Sequence, residues 1–436
     1  MHGVPDMVSG DAGHWVLIRA GTLIDGEGNV AHHVEVLVHG EKIVHVGPAG
    51  SAPRVADEVT RIDASQDTLM PGLIDAHLHL TYSGHLGMQQ LEWPRSLELA
   101  AVSAGANATK ALRFGYTGGL DVGCRGKIGV ATKAAIAEGT IEGPTLRVSG
   151  QIISPVGGPL DLWPSSMRLD PATRLAALVS GVEDARRVIR EQAKDGVDNI
   201  KFQISGSTVQ SKRRGRASFF SDEELRAAVG QAHDLGLSTA AHAEGPEAIS
   251  AAIRAGVDTV QHASFIDDPT IELLSAHPDA RLVFTLGVYD DIIHIGPSIG
   301  YPSESSQRVR DVWERMVAAV RLAYERGVPF AVGSDAGGAV HPHGRYAREI
   351  VLLVRVCGIP VERAVRAATS HAARAAWLGG AGVIGADHDA DLVVVAGDLV
   401  RRVELLEDDA NIRVVMKKGR IVRRISGSEI VTTTIA

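Results

Sequence analysis

Four histidines, one lysine and one aspartate carry the chemical content of this chain. His77 and His79 stand in the run PGLIDAHLHL, Pro71 to Leu80. Leu73, Ile74 and Ala76, bounded on the left by Pro71-Gly72, read as a short buried strand. Side chains two apart on a strand share a face, so both imidazoles leave it together. Two converging imidazoles can grip a divalent metal from one side. Taken alone, such a pair also fits two histidines near a surface turn. The same pattern recurs along the chain. Lys201 lies within Asp198-Asn199-Ile200-Lys201-Phe202-Gln203-Ile204, His242 within Ala240-Ala241-His242-Ala243-Glu244, His262 within Val260-Gln261-His262-Ala263-Ser264, and Asp335 within Val332-Gly333-Ser334-Asp335-Ala336-Gly337. One buried histidine would read as satisfied core. Four of them with an aspartate, each closing an apolar run, read as a metal centre.

The elements that must position these groups form an alternating series. Between residues 70 and 382 the strand candidates are Leu73–His77, Thr117–Val122, Leu146–Ile152, Asn199–Ile204, Ser238–His242, Thr259–His262, Leu282–Leu286 and Phe330–Gly333. Helical stretches are expected at Pro94–Phe114, Pro171–Lys194, Ser221–Leu235, Pro246–Ala255 and Ser306–Glu325, with capping-box spacing from Ser221 to Glu224. Eight strands each followed by a helix give an α/β fold, a (β/α)8 TIM barrel, whose chemistry sits at the C-terminal strand ends. A doubly wound open sheet is the alternative. No GxGxxG follows the first strand, which argues against a dinucleotide site. Residues 15–69 and 383–430 carry short strand-like runs, including a hairpin around His39-Gly40-Glu41. Together they make one small β-sandwich domain built from both chain ends, with the barrel inserted between them. Residues 1–14 are polar, glycine-rich and expected to be flexible.

Composition narrows the function classes. The 436 residues are 45% hydrophobic but only 4% aromatic, which suits a barrel core of Ala, Val, Ile and Leu. Net charge is -8, and the one basic patch, Lys212, Arg213, Arg214 and Arg216, is too short for a duplex-binding stripe. Cys124 and Cys357 form no CxxC, so a reducing compartment is expected. Neither a secretory signal nor an apolar run of about 20 residues is visible. A cytoplasmic protein without nucleic-acid or membrane partners follows as the expectation.

The set of motifs resembles the amidohydrolase superfamily of metal-dependent hydrolases over nearly the whole chain. PGLIDAHLHL, Gly115-Tyr116-Thr117, Ser149-Gly150, the His242 and His262 runs, Gly333 to Gly337 and Ala390-Asp391-Leu392-Val393 are similar to the branch of prolidase-like and Xaa-Arg dipeptidases and imidazolonepropionase-like sequences. That resemblance implies a catalytic and metal-binding role for Asp335, with His77 and His79 on the same metal and His242 and His262 on a second. It also implies a CO2-derived carbamate on Lys201. An ammonium has no acceptor and cannot ligate a cation, whereas its carbamate can bridge two. The cofactors implied are two divalent metal ions about 3.5–4 Å apart that share a hydroxide. Zinc suits the N/O set, as do manganese and cobalt. The expected reaction is hydrolysis of a C–N amide-type bond in an N-acyl amino acid, dipeptide, carbamate, urea or aryl amide, by an enzyme that the family leads one to expect as a homo-oligomer.

Two departures stand out. Pro159 occupies the place of the histidine that the dipeptidase-like branch carries after paired glycines, here Gly157-Gly158, so a polarising imidazole is missing. The usual Thr-Thr is Thr117-Gly118. Tyr289 and His343 are the expected substrate contacts, with Tyr289 on a loop after strand seven. His341, Arg345 and Arg348 are weaker candidates. His371 reads as packing within a helix over Ala364–Leu378, and His85 as loop. A mononuclear deaminase would want a glutamate three residues past His242, but Gly245 stands there and Glu244 is two past. A non-catalytic relative would have lost ligands, and none is lost.

Overall fold

The computed structural model describes residues 13–55, 58–84, 95–167, 170–206, 217–301, 303–425 and 430–434. Residues 1–12 of the expected flexible segment lie outside the described residues. So do His85, Pro94 and the basic patch Lys212, Arg213, Arg214 and Arg216.

The strands in chain order are β1 (Trp15–Ile24), β2 (Val30–His39), β3 (Lys42–Pro48), β4 (Glu58–Pro71), β5 (Leu73–Leu78), β6 (Tyr116–Asp121), β7 (Thr145–Val148), β8 (Ile152–Pro155) and β9 (Ala176–Val179). They continue as β10 (Asn199–Gln203), β11 (Ser238–Ala243), β12 (Thr259–His262), β13 (Arg281–Phe284), β14 (Phe330–Val332), β15 (Leu392–Val395), β16 (Ile412–Lys417), β17 (Arg420–Arg424) and β18 (Ile430–Thr434). Strands from both ends join in one eight-stranded sheet ordered β17-β16-β15-β4-β1-β2-β3, with β18 also on β4. The β2/β3 hairpin forms as expected, but β1 runs parallel to β4, which hairpins alone do not give.

This sheet curls on itself. Ile43 of β3 packs in one cluster with Val36, Leu392, Val414 and Met416. The amide of Ile43 donates to the His388 carbonyl at 3.0 Å. Met70, Val393, Ile412 and Val415 join the large core instead, so the sheet is seated on the rest of the molecule.

Parallel strands make the remainder. One sheet is β5-β6-β7 and the other β14-β13-β12-β11-β10-β8-β9. They meet at both flanks through the bridges Ser149↔Asn199 and Leu78↔Ala336. At the second flank Asp335 N donates to His77 O at 2.7 Å and His79 N to Ala336 O at 2.9 Å. Period-two alternation then sorts the side chains. Ile200 and Phe202 of β10 pack with Val188, Ile189, Leu225 and Val229 of the surrounding helices. Burying a side chain such as Phe202 contributes about 1.5–3 kcal/mol. Ala240, Val283 and Ala331 instead form a separate buried cluster with Ala372, Ala373 and Ala376. The capping box is present: Ser221 and Glu224 close the first turn of helix Asp222–Asp234 reciprocally.

Three sequence expectations need correcting. The run Leu146–Ile152 is two strands, β7 and β8, interrupted at Ser149–Gln151. Pro171–Lys194 is not one helix. Its apolar Ala176–Val179 pairs with β8, and the helix Val182–Asp195 starts only after Gly181, whose φ is +82. A short apolar run fits strand or helix equally until a neighbour decides it. Ala364–Leu378 likewise divides into Val361–Ala367 and Ser370–Ala375 at Thr369.

One ion pair ties helix Asp222–Asp234 to the entry of β12 and, through Asp258, to β11. His233 Nε2 lies 2.9 Å from Asp258 Oδ2, which also accepts from Thr239 N and Oγ1, each at 2.7 Å. The Asp258 hydrogen bond raises the His233 pKa above its ordinary 6.5. Burial pushes Asp258 up, but the bonds from His233 and Thr239 outweigh it and hold the carboxyl below 3.8. The His233 contribution is therefore fully present below pH 6.5 and is lost as pH rises through the raised value. The Asp258 contribution is present above 3.8 and is lost as pH falls through the lowered value. Urea unfolding at about pH 5.5 and about pH 8.5 should show the wild type losing up to about 1 kcal/mol more than His233→Gln, a ceiling set by the pair's partial exposure. Equal losses in both proteins would remove the pair from the stability account.

Candidate metal centre

The strand ends bring the six expected groups to one cavity. His77, His79, Lys201, His242, His262 and Asp335 all line it. Ring centroids of His77 and His262 are 4.7 Å apart, and those of His242 and His262 4.4 Å. Each approach is set by a fixed Nδ1. His77 Nδ1 meets Gln261 Oε1 at 2.6 Å, and the Gln261 amide is oriented by its bond to Thr259 Oγ1. His79 Nδ1 donates to Gly123 O at 3.0 Å, and His262 Nδ1 pairs with Thr285 Oγ1 at 2.7 Å. Such partners select the tautomer that aims the Nε2 lone pair outward.

The gaps between these groups are informative. His77 Nε2 is 3.4 Å and His79 Nε2 3.6 Å from Asp335 Oδ1. Both exceed the usual hydrogen-bond range of about 2.7–3.2 Å. Both fall under the separation of about 4.4 Å that two donors on one cation can reach. His77, His262 and Asp335 also offer ligand atoms all within 4.8 Å of one another, a group able to hold a metal ion. Lys201 Nζ and His242 Nε2 are buried with no hydrogen-bond partner among the described residues. Leaving such atoms unpaired costs about 1–3 kcal/mol each, so this donor set fits divalent cations.

Electrostatics agree with the geometry. Burial, and then the neighbouring Lys201 charge, holds His77 well below 6.5 and brings His242 down to about 3. Burial followed by His242 and His77 does the same to His262, and burial lowers His79. All four imidazoles are therefore neutral at pH 7, the form that ligates. Burial also brings the Lys201 amine down to about 7. Asp335 is raised by burial, opposed by the surrounding imidazoles and Lys201.

Strained backbone aims two of the groups. Gln261 faces inward to His77, so strict alternation would send His262 outward. His262 and Ala263 adopt φ of 69 and 48, and Asp335 a φ of 56. These left-handed conformations cost about 1–3 kcal/mol each and turn the side chains into the mouth. Gly333 allows the approach of β14 to β5, since a Cβ there would sit 2.3 Å from His77 Cβ. Asp75 holds the junction by accepting from His77 N at 3.0 Å and Ser334 N at 2.9 Å.

The substrate side differs more from expectation. Tyr289 lines the cavity, but on helix Leu286–His294 rather than a loop. Glu349, buried on helix Arg348–Arg355, accepts from Leu286 N and Gly287 N and fixes that helix start. His343 is not among the lining residues. Its Nε2 meets Tyr82 O and its Nδ1 meets Tyr346 Oη, both at 3.0 Å, so it braces the rim. His341 and Arg345 are taken by Asp291, Arg348 by Asp290, and His371 by Phe330 O. Beside Pro159, Leu160 lines the wall with Ile152, Leu175, Val288 and Ile292. Sequence reasoning weighed Glu244 only against a deaminase and gave Gln203 no role; the Glu244 carboxylate accepts from Tyr289 Oη at 2.9 Å, and Gln203 lines the cavity. Each lies two residues past a named ligand, so the period of two was the available signal.

Comparison with known proteins places this geometry. The amidohydrolase family model matches residues 68–422. The chain belongs to the amidohydrolase family. Ochratoxinase of Aspergillus niger is 26% identical over 436 residues, covering 96% of this chain and 88% of that protein. An imidazolonepropionase of Salinispora tropica is 27% identical over 398 residues, covering 85% of this chain and 88% of the relative. A prolidase complexed with N-methylphosphonate-L-proline has a structure similar at TM-score 0.83 and 29% identity, covering 94% of this chain and all of that one, 100%. The amidohydrolase relatives make the fold a TIM barrel of α/β character, and they support a hydrolase of amide-type bonds. Among the described residues no helix is long and apolar enough to cross a membrane.

Proposed function

We propose that this protein is a binuclear metal-dependent amidohydrolase that cleaves a C–N amide-type bond. The observation that carries this reading is the pair of buried, unpartnered nitrogens, Lys201 Nζ and His242 Nε2, beside three further neutral imidazoles. His77, His79 and Asp335 would hold one divalent ion, zinc first, with manganese or cobalt as alternatives. His242 and His262 would hold the other. Lys201 would bridge them as its carbamate. Its amine, brought down to about 7, is substantially neutral at physiological pH and so nucleophilic toward CO2. The new N–C bond forms as the amine proton leaves to solvent. When bound, the two ions acidify a shared water to hydroxide near neutral pH and polarise the substrate carbonyl. Asp335 would take the remaining proton of the attacking hydroxide as its oxygen adds to the carbonyl, and return it to the leaving nitrogen as the C–N bond breaks.

The wall of Ile152, Leu160, Leu175, Val288 and Ile292 favours a small-molecule substrate with an apolar group beside the scissile bond. Nucleic acid and membrane are not partners in this reading, and the enzyme works in the cytoplasm as a homo-oligomer. The two parallel sheets would form one ring of eight over residues 70–382, with β7 and β8 counted as a single interrupted strand and β9 outside the ring on β8. The curled terminal sheet, residues 15–69 with 383–430, is the small β-sandwich domain. A mononuclear deaminase is the second reading, favoured by the convergence of His77, His262 and Asp335 on one point.

Metal analysis separates these readings. The purified chain should carry about two ions, and chelation should abolish hydrolysis of a panel of apolar N-acyl amides and carbamates, with return of activity on adding zinc or manganese. One ion per chain with release of ammonia would favour the deaminase instead.

A further inference from the structure

We propose that Glu244 is a ligand of the cation on the His242 side of the centre. This rests on the binuclear reading above. Glu244 Oε1 lies 3.7 Å from His242 Nε2, and the Glu244 side chain is 0% exposed. That separation belongs with the 3.4 and 3.6 Å between Asp335 and His77 and His79. All three are too long for hydrogen bonds of about 2.7–3.2 Å. All three fit two donors that each bind one cation at about 2.0–2.2 Å. His242 Nε2 is buried and without a hydrogen-bond partner among the described residues, so it is open on the side that Glu244 faces.

The surroundings hold the carboxylate in place. Glu244 N donates to Ser205 Oγ at 3.2 Å, and Phe265 N donates to Glu244 O at 3.0 Å, so its backbone is pinned between two strand ends. Tyr289 Oη donates to the same Oε1 at 2.9 Å. A carboxylate oxygen carries two lone pairs, so the phenol and a cation can share it. Tyr289 is then a positioning residue that acts through Glu244. Charge balance also improves. Asp335, Glu244 and the Lys201 carbamate bring three negative charges to two dications, which lowers the cost of burying them.

The test uses the full chain loaded with zinc, and separately with cobalt, as wild type and as Glu244→Gln, Glu244→Asp and Tyr289→Phe. Metal per chain is counted after dialysis, ion loss is followed against a chelator, and the cobalt forms are compared by visible absorption. Wild type should hold two ions. Glu244→Gln should hold its weaker ion at least about 10–100-fold less tightly, by comparison with losses on changing groups that only support ligands, and its cobalt spectrum should change. Glu244→Asp should recover part of the loss, and Tyr289→Phe should keep both ions. A Glu244→Gln protein with two ions, unchanged chelator resistance and an unchanged spectrum would overturn the proposal while the binuclear reading stands. A Tyr289→Phe loss equal to that of Glu244→Gln would also overturn it, because Glu244 would then act only as an anchor for the phenol. Wild type with fewer than two ions would remove the reading on which it rests.

Discussion

Lys201→Ala is expected to fold normally, to purify with little metal and to lose nearly all activity. The lysine is 1% exposed, and its Nζ makes no hydrogen bond among the described residues. Its removal leaves a cavity but strands no partner, so the fold survives a moderate loss of packing. The metal pair loses its only shared protein ligand in the proposed arrangement. Several kcal/mol of transition-state stabilisation go with it, which is about 10³-fold or more in kcat/KM at 1.36 kcal/mol per decade. Acetate or propionate, small enough to enter the space left by the side chain, should restore part of both the metal content and the rate by supplying the missing carboxylate. The checks are circular dichroism, metal analysis and a rate assay with and without the added acid. Full metal content with retained activity would reject the bridging role.

Asp335→Asn should reduce kcat by about 10²–10⁴, the range for losing a positioned acid–base group. Asparagine matches the aspartate in shape and accepts the left-handed backbone that Asp335 adopts at φ 56. The rim should therefore stay as it is, and the melting temperature should barely move. What is lost is the carboxylate that faces both His77 and His79 and can carry a proton. Asp335→Ala makes a useful contrast, because it adds backbone strain to the same chemical loss and should unfold at a lower temperature. If Asp335→Asn kept its kcat with metal bound, proton transfer would belong to another group.

Much of the centre was legible because it obeys a simple period. His77 and His79 are two apart at the end of β5, the second just past it, and Lys201 alternates with the outward Ile200 and Phe202 on β10. His262 breaks the alternation, and only its left-handed backbone brings it inward. Its strand-end position was readable, but its direction was not. Tyr289 was placed on a loop because the carboxylate that fixes its helix, Glu349, is 62 residues away from Gly287 and carries no local signal. His343 reads as a substrate contact in the sequence because a histidine after Asp335 looks chemical. Of its two partners Tyr346 is close in sequence, but Tyr82 lies 261 residues away and carries no local signal. The run Ala176–Val179 was assigned to a helix because its choice depends on an edge of β8 that sequence does not display. Local pattern thus fixed the groups that lie on regular strands, and long-range contacts decided the others.

The terminal sheet sets an order of assembly on the ribosome. β4 pairs with β1 along one edge, and its other edge is covered by β15 and β18. From Pro71 at the end of β4 to Leu392 at the start of β15 is 392 − 71 = 321 residues. At about 5–20 residues per second, that edge waits about 15–60 s for its cover during synthesis. A nascent chain stalled before residue 392 would present an open strand edge, the template on which chains stick to one another. Emergence of β15 and β18, rather than emergence of the barrel, is therefore the event that covers this edge of β4.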